Sequence, residues 1–257
     1  MGHPEDFYDG LAADYHTLFD DWWTAAELHG GVIAALLTAR GVVPPSSLLD
    51  CTCGIGTQAL PLAAIGYSVT GTDISPRSVT RARSEGHARR LPVRLEVADV
   101  RVLHEIVHER FDAVISCDNA LPHLLTDADL DLALGSIRRC LRDDGVFLAS
   151  VRDYDSLAAA RPTGTPVSMH GRAGRRHASG QAWTWSADGQ YVDITLFVLY
   201  ETVSGDGWRA SAHETRYRAL RRASLTSALD TNGFGSIEWL TPHESGYYQP
   251  VVVARAR

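Results

Sequence analysis

Apolar residues recur with two different spacings along this chain, and the spacing changes from one stretch to the next. Over the first 150 positions, short apolar runs alternate with stretches that have helical spacing, which is typical of strands joined by crossover helices. Four apolar runs lead into an acidic residue, at Asp50, Asp73, Asp99 and Asp118. The pattern predicts an α/β fold in which the strand ends bring these carboxylates to one edge of a mostly parallel sheet.

Helical spacing is clear after Thr126, a good N-cap residue that is followed by acidic residues in the first predicted turn. Apolar residues then recur at positions 130, 134, 137 and 141, and the sequence Asp143-Asp144-Gly145 predicts the helix end. A fifth strand is expected over Val146–Val151.

The second half of the chain has a different pattern. Residues 158–181 have no sustained periodicity, so the sequence predicts a long loop there. Two alternating segments follow, over 181–202 and 208–220, and the glycines in Ser204–Gly207 favour an antiparallel hairpin. A capped helix over 224–233 and a closing strand over 249–254 complete the prediction.

The first acidic strand end leads into a glycine turn. Gly54 and Gly56 allow a sharp turn and a close approach of the backbone to a ligand, because a side chain at either place would need costly positive φ or would fill the contact space. Asp73 follows Gly56 by 17 positions (73 − 56), where its carboxylate can accept from two ribose hydroxyls. The sequence therefore predicts a nucleotide-type cofactor site.

A nicotinamide or flavin dinucleotide would also fit Gly54-x-Gly56-x-x-Ala59. Asp50, however, lies four positions before the first glycine and gives the turn its own carboxylate. A dinucleotide turn directs a helix N-terminus at a pyrophosphate, whereas S-adenosylmethionine has no phosphate and has a cationic sulfonium and an ammonium group. The acidic turn favours the latter cofactor.

Several of these segments resemble the class I S-adenosylmethionine-dependent methyltransferases. Leu49–Gly56 is similar to their first motif, Gly71–Ser75 to the strand end that binds ribose, and Ala98–Val100 to the one that binds adenine. Asp118–Leu124 is similar to the segment that lines the methyl-transfer site in many members with small-molecule substrates. The resemblance implies a doubly wound, Rossmann-like, seven-stranded and mostly parallel sheet, with an N-terminal helical lid and a late antiparallel insertion.

The N-terminal segment Phe7–His16 and the sequence Asp20-Asp21-Trp22 look like the lid of the glycine N-methyltransferase-like branch. On this basis we expect one methyltransferase domain over the whole chain. Its parts would be a helical lid (1–45), a cofactor-binding core (46–155), a loop with an antiparallel substrate cap (156–222), and a closing helix and strand (223–257).

The resemblance also implies roles for individual residues. The cofactor-binding residues would be Tyr15, Trp22, Asp50, Cys51, Gly54, Gly56, Asp73, Ile74, Asp99, Val100 and Asp118. Candidates for catalysis are His123, Asp118 and Tyr15, of which His123 is the first choice for proton transfer because histidine titrates in the useful range. The acceptor would contact Tyr8, Asn119, His123, Arg152, Tyr154, Tyr191 and Tyr217.

Composition narrows the function. The formal net charge is −7 and basic residues form no long run, which disfavours a nucleic acid partner. All 24 lysine-plus-arginine positions are arginine, so chemistry that needs a lysine nucleophile or a phosphate-loop lysine is excluded. We expect a cytoplasmic protein with a small-molecule acceptor and no membrane partner; association into a homo-oligomer is left open.

A metal site is not expected. The four cysteines fit buried apolar positions, and Cys51-x-Cys53 has no second ligand pair. The segment His104-Glu105-Ile106-Val107-His108 matches the zinc-protease helix motif, but it lies two residues before a strand and lacks the longer pattern of that motif. We interpret it as a solvated helix.

Two acceptor classes are consistent with the sequence. Many late aromatic residues favour a specialised-metabolite acceptor with an indole or phenol-like group as the first choice. The second choice is an amino acid such as glycine or sarcosine, whose carboxylate one of several arginines could bind through two hydrogen bonds; the candidates are Arg152, Arg172, Arg175, Arg176 and Arg216. A non-catalytic S-adenosylmethionine-binding protein and an NAD-dependent oxidoreductase are the alternatives from other classes.

Overall fold

The structure is a computed structural model that describes residues 3–171, 176–202 and 207–257. Its strands are β1 (Ser47–Asp50), β2 (Ser68–Asp73), β3 (Val93–Val97), β4 (Phe111–Ser116), β5 (Leu141–Ser150), β6 (Ser168–His170), β7 (His177–Trp185), β8 (Tyr191–Glu201), β9 (Trp208–Arg218), β10 (Phe234–Leu240) and β11 (Val251–Ala256). The helices are α1 (Pro4–Leu11), α2 (Trp22–Thr38), α3 (Ala59–Ile65), α4 (Pro76–Ala88), α5 (Leu103–Ile106), α6 (Asp127–Cys140), α7 (Tyr154–Ala160), α8 (Arg222–Thr231) and α9 (Pro242–Ser245).

Seven strands form the main sheet in the order β10-β11-β5-β4-β1-β2-β3. Strands β3, β2, β1, β4 and β5 are parallel, and β11 pairs antiparallel with both β5 and β10. The predicted doubly wound, mostly parallel sheet is therefore confirmed. The chain reverses its direction of winding between β1 and β4, so the loops after these two strands diverge and leave a crevice.

Apolar side chains leave the sheet on both faces, because neighbouring residues of a strand point to opposite sides. Leu49 packs in a cluster with α6 and α8, whereas Leu48 packs in a second cluster with α2 and α3. Both leucines are fully buried. This two-sided burial explains why β1, β4 and the end of β5 have near-continuous apolar sequences.

A second sheet of four antiparallel strands, β6-β7-β8-β9, stands beside the main sheet. Strands β8 and β9 pair antiparallel over their full lengths, so the predicted hairpin pairing is confirmed. The first predicted segment, 181–202, is however not one strand: it contains the end of β7, a turn and β8, and β7 and β8 pair antiparallel with each other. The predicted connection at Ser204–Gly207 falls mostly outside the described residues. The predicted loop over 158–181 is wrong in part, because it contains β6 and the first residues of β7; small and polar residues in these strands conceal the alternation.

Two other boundaries differ from the prediction. Helix α6 begins after Thr126 as expected, and the Thr126 side chain accepts from the Asp129 N–H, but the helix ends at Cys140. Leu141 is already extended and starts β5. Its side chain packs in the same cluster as the helix face, which is why it fits the helical spacing. Strand β10 was not predicted. Within the described residues, no helix combines the length and apolar character needed to cross a bilayer.

Candidate active site

Five ionisable residues lie at or just beyond the carboxyl ends of the parallel strands. In the spatial order β3, β2, β1, β4, β5 they are Asp99, Asp73, Asp50, Asp118 and Arg152. A cavity of about 370 Å³ lies along this edge, within the range of small-molecule sites. Ligands of open α/β sheets bind in this crevice, so the cavity is the candidate active site.

The glycine turn after β1 forms one wall of the cavity. Gly54 has φ of +53° and Gly56 has φ of +95°, a region that side chains rarely adopt. A Cβ atom on Gly56 would also come within 2.7 Å of the Leu60 side chain. Thr52, Cys53 and Gly54 line the cavity. The conformation of this turn therefore requires glycine at both positions.

Asp73 joins the glycine turn to the start of α4. One of its carboxylate oxygens accepts from the Gly54 N–H at 2.8 Å, and the other accepts from the Ser75 N–H at 2.9 Å. Burial raises the pKa of Asp73 above its usual value. Because each carboxylate oxygen has a further lone pair, Asp73 on the cavity wall can still accept two hydroxyl groups.

Asp50 lies beneath the same turn and is fully buried. Its Oδ1 accepts from the Thr52 N–H at 3.3 Å, whereas Oδ2 has no hydrogen-bond partner among the described residues. Burial raises the pKa of Asp50 to about 8. Asp50 therefore lies behind the cavity wall and does not line it, whereas its neighbour Cys51 forms part of the wall.

The far end of the cavity contains Asp99, Val100, Arg101 and Asp129. The Arg101 Nη2 donates to Asp99 at 2.6 Å, and its Nη1 donates to Asp129 at 2.8 Å. Burial by itself would raise the pKa of Asp99, but the hydrogen bonds from Arg101 outweigh it and hold this pKa below its usual value. A charged Asp99 is thereby fixed where the sequence predicts adenine.

Helix α1 covers the cavity and is fastened on both sides of it. Asp9 accepts from the Ser75 hydroxyl at 2.6 Å and from the Arg77 N–H at 3.0 Å, next to Asp73. On the opposite side, the Tyr8 hydroxyl and His123 Nε2 are 3.0 Å apart. Tyr8 lies on the cavity wall, as does Tyr15, which follows α1. The N-terminal segment thus occupies the position of the predicted lid.

Trp22, in contrast, is not among the residues that line the cavity. Its indole Nε1 donates to the Thr57 hydroxyl at 3.1 Å, and its ring packs against Ile55 and Leu60 with only 6% of its surface exposed. Trp22 supports the glycine turn from behind. The sequence Asp20-Asp21-Trp22 does not show whether the Trp22 ring lies on the cavity side of this turn or behind it.

His123 lies between α1 and the second sheet. Its Nε2 pairs with the Tyr8 hydroxyl, its Nδ1 is 3.4 Å from the Thr215 hydroxyl, and its ring packs on Tyr217 at a centroid distance of 4.4 Å. Burial lowers the pKa of His123 to about 3, and Arg152 adds to the effect. A neutral imidazole with both nitrogens engaged is a weak proton acceptor near pH 7, so the geometry favours a positioning role.

Asp118 is held by three side chains. Its Oδ2 accepts from Gln58 Nε2 at 2.7 Å, and its Oδ1 accepts from the hydroxyls of Tyr247 at 2.5 Å and Tyr248 at 2.8 Å. Asp118 and Gln58 line the cavity. The pKa of the nearby Tyr15 is raised by burial and then by the Asp118 charge, so the Tyr15 hydroxyl stays protonated.

Three predicted acceptor contacts have structural partners instead. Asn119 is buried; its amide donates to the Tyr154 hydroxyl at 3.1 Å and its carbonyl accepts from the Arg152 N–H at 3.0 Å. These bonds connect the loops after β4 and β5. The Tyr191 hydroxyl donates to the Leu125 carbonyl at 3.3 Å. Neither these three residues nor Tyr217 are among those that line the cavity.

Arg152 follows β5 and reaches the second sheet. Its Nη2 donates to Gln181 at 3.1 Å, and its guanidinium carbon is 5.0 Å from the Trp183 ring and 5.5 Å from the Tyr217 ring. Its Nη1 is buried and has no hydrogen-bond partner among the described residues. Arg152 therefore has an unused donor, which is costly for a buried charged group unless a ligand completes it.

The other candidate arginines differ from Arg152. Arg176 pairs with Glu201 at 2.6 Å, and Arg216 pairs with Asp193 at 2.6 Å. Arg172 and Arg175 lie outside the described residues. Only Arg152 of the described candidates has its guanidinium enclosed by aromatic rings with a buried donor free.

The segment His104–His108 does not form an extended metal-binding helix. Helix α5 is a single turn, and His104 Nδ1 contacts the Ser136 hydroxyl at 2.8 Å. In the parts of the chain that the structure describes, no group of three or more His, Cys, Asp or Glu residues is arranged to hold a metal ion.

Sequence reasoning missed several contacts of the site. Gln58 and Tyr247 are distant in sequence, yet the Gln58 amide donates to the Tyr247 hydroxyl at 3.3 Å and both side chains donate to Asp118. Arg101 and Asp129 meet at the adenine end through the packing of α6. The order Asp99-x-Arg101 was the one local signal, since an arginine two residues after a carboxylate can pair with it.

Comparison with known proteins agrees with this geometry. Residues 48–145 match the methyltransferase domain family. A glycine/sarcosine N-methyltransferase of Parasynechococcus marenigrum is 33% identical over 137 residues, which cover 53% of this chain and 48% of the relative. A second one, of Halorhodospira halochloris, is 28% identical over 60% of this chain and 56% of its own length. The chain thus spans about half the length of these curated relatives.

Solved structures match over nearly the whole chain. Streptomyces venezuelae DesVI superposes with a TM-score of 0.77 and 23% identity, and 98% of each chain is covered. CalS10, an aminopentose methyltransferase of Micromonospora echinaspora whose structure contains S-adenosylmethionine, gives a TM-score of 0.73 with 20% identity over 95% of each chain. At these identities the likeness shows a shared fold.

The residues present fit S-adenosylmethionine as the cofactor. Asp73 has free lone pairs for the ribose, and the glycine turn leaves the space that a Cβ would fill. The unpartnered buried oxygen of Asp50 suits a positively charged ligand above it. Residues 48–145 are thus similar to the methyltransferase domain family, and the chain shares the fold of S-adenosylmethionine-dependent methyltransferases of known structure.

Proposed function

We propose that this protein transfers a methyl group from S-adenosylmethionine to the nitrogen of a small acceptor that has a carboxylate. The unpartnered, buried Nη1 of Arg152 carries the proposal. The Arg152 charge acts on Tyr15 and Tyr248, which surround Asp118. Arg152 is not itself among the residues that line the cavity, but it follows β5, the strand beside β4, after which Asp118 lies.

A guanidinium fork suits a carboxylate, because two parallel N–H donors match its two oxygens. Trp183 and Tyr217 fix the plane of the Arg152 guanidinium by stacking. A carboxylate bound there would orient the rest of the acceptor toward Asp118 and the cavity. Orientation is the main contribution that an enzyme makes to a direct methyl displacement.

The bound cofactor would supply a methyl carbon on positively charged sulfur. The chain's own residues would hold it through Asp73 at the ribose, Asp99 at the adenine and the glycine turn between them. Helix α1 would exclude water from the cavity through its two attachments.

The names of the relatives support nitrogen as the methylated atom. The Parasynechococcus marenigrum and Halorhodospira halochloris relatives are both glycine/sarcosine N-methyltransferases. An aromatic acceptor has less support, because several late aromatic side chains have other partners. Trp183 and Tyr217 hold Arg152, Trp185 donates to the Pro162 carbonyl, and Trp208 contacts Arg176.

The test is to incubate the full chain with S-adenosylmethionine and single acceptors and to measure S-adenosylhomocysteine by liquid chromatography. Glycine and sarcosine represent acceptors with an amine and a carboxylate, whereas indole and phenol represent aromatic ones. We expect turnover with the first pair. Turnover with the aromatic pair alone would refute the proposal, and cofactor binding without turnover would indicate a non-catalytic protein. Calorimetric binding of NADH would indicate the oxidoreductase alternative.

Arg152→Lys provides the residue-level test. Lysine retains the positive charge but loses the fork, so KM for glycine should rise by about tenfold or more, as expected when a hydrogen bond to a charged group is lost. Arg216→Met is the matched control, because Arg216 lies in β9 beside Tyr217 and pairs with Asp193. An equal effect of both substitutions would contradict the assignment.

A further inference from the structure

Asp118 is a carboxylate on the cavity wall that no cation neutralises. Its three hydrogen-bond donors, Gln58, Tyr247 and Tyr248, are all uncharged. Within the described residues, no arginine or histidine forms an ion pair with it. The negative charge is thus held in place without being compensated.

The backbone around Asp118 is also fixed at a conformational cost. Asp118 has φ of +58° and Asn119 has φ of +66°, a region that costs a non-glycine residue about 1 kcal/mol or more. Hydrogen bonds offset the strain: the Asp118 N–H donates to the Ser150 hydroxyl at 2.8 Å, and the Asn119 N–H donates to the Ser150 carbonyl at 3.1 Å. Persistent strain of this kind is typical of functional sites.

The donors themselves are held from behind. Gln58 is 3% exposed and Tyr247 is 1% exposed, so neither can easily leave the carboxylate. The Tyr248 ring stacks on His29 of α2 at a centroid distance of 5.1 Å. The arrangement fixes both carboxylate oxygens relative to the cavity.

We propose that Asp118 binds the nitrogen of the acceptor, with Tyr247 and Tyr248 as its positioning residues. This inference rests on the proposed function. Asp118 follows β4, between the cofactor-side carboxylates after β1 and β2 and Arg152 after β5. A zwitterion with its carboxylate on Arg152 would extend its ammonium toward Asp118 and the methyl group. The pair of opposite charges selects amino acids over neutral amines.

The reaction balances with this assignment. The bound ammonium gives one proton to the Asp118 carboxylate, from which it passes to water at the exposed Tyr248. The nitrogen lone pair then forms the N–C bond while the electron pair of the C–S bond goes to sulfur. The products are a methylated ammonium, S-adenosylhomocysteine and one released proton. The nitrogen is neutral when it attacks and positively charged in the product, so the Asp118 carboxylate stabilises the charge that develops during transfer.

The experiment uses the full chain saturated with S-adenosylhomocysteine, which prevents turnover, and measures binding of glycine and of acetate by NMR titration. Acetate has the carboxylate but no nitrogen. Asp118→Asn should weaken glycine binding by about tenfold or more and leave acetate binding unchanged, since a hydrogen bond to a charged group is worth about 1.5 to 3 kcal/mol. Tyr248→Phe should reduce glycine binding less, again without effect on acetate. Asp127→Asn, at an exposed site on α6, is the matched control.

Each result has a distinct meaning. If Asp118→Asn weakens the binding of glycine and of acetate equally, or weakens the binding of neither, Asp118 does not bind the nitrogen. The inference then fails while the proposed function stands. If the variant instead weakens S-adenosylmethionine or S-adenosylhomocysteine binding by more than about tenfold in calorimetry, Asp118 belongs to the cofactor site and the inference fails. If the wild-type protein neither binds glycine nor methylates it or sarcosine, the proposed function and the inference both fail.

Discussion

Replacement of Asp50 by asparagine should make the free energy of unfolding less dependent on pH. The Asp50 carboxyl is fully buried, and burial raises its pKa to about 8, against an ordinary value of 3.8. Between these two values the folded protein binds a proton that the unfolded chain has lost. Stability from this group is therefore present at low pH and falls as pH rises through this window.

The magnitude follows from the two pKa values. From pH 5 to pH 7 the carboxyl is ionised in the unfolded chain and protonated in the folded one, so each pH unit costs about 1.4 kcal/mol. Over two pH units, Asp50 alone therefore lowers the free energy of unfolding by about 3 kcal/mol. Asparagine has nearly the same shape and retains an acceptor for the Thr52 N–H, but it does not titrate.

The assay is urea unfolding of the cofactor-free wild type and Asp50→Asn at pH 5, 6 and 7. The difference in unfolding free energy between the variant and the wild type should grow by about 3 kcal/mol from pH 5 to pH 7 in favour of the variant. Asp143→Asn, with its side chain 88% exposed, should follow the wild-type curve. Parallel curves for wild type and Asp50→Asn would show that Asp50 is ionised in the folded protein and would refute the argument.

Two further predictions concern the cofactor wall. Asp73→Ala should weaken S-adenosylmethionine binding by on the order of 1 to 3 kcal/mol, because it leaves hydrogen-bonding groups of the cofactor unpaired; unchanged affinity in calorimetry would sink the ribose assignment. Gly56→Ala should lower the unfolding free energy by about 2 kcal/mol or more, because φ is +95° and the new Cβ meets Leu60. Gly31→Ala, where a Cβ meets nothing within 4 Å, should be neutral or stabilising in the same denaturation assay.

The local parts of the site could be predicted from the sequence. A strand, a glycine turn and a carboxylate at a fixed distance are consecutive in the chain, so their spacing alone predicts that Gly54 and Asp73 share one site, and both line the cavity. Whether a side chain lies in front of the turn or behind it depends on tertiary packing, and for Trp22 only the structure could decide.

Contacts between distant segments could not be predicted from the sequence, because they too depend on tertiary packing. Gln58 and Tyr247 meet at Asp118 although 189 positions separate them. His123 was expected to move protons because its ordinary pKa is near neutral. The structure encloses it among Tyr8, Thr215 and Tyr217, and no local pattern encodes these contacts.

The length of α1 determines how the cofactor can enter and leave. A helix of eight residues is too short to be stable in water by itself. Phe7 and Leu11 also pack on Leu196 and Val198 of β8; if these contacts open together with the bonds of Asp9 and Tyr8, we expect α1 to unfold and not to move away as a rigid helix. Exchange of the cofactor then becomes a local folding reaction, with the steep temperature dependence of helix melting, and hydrogen exchange at the α1 amides would report its rate.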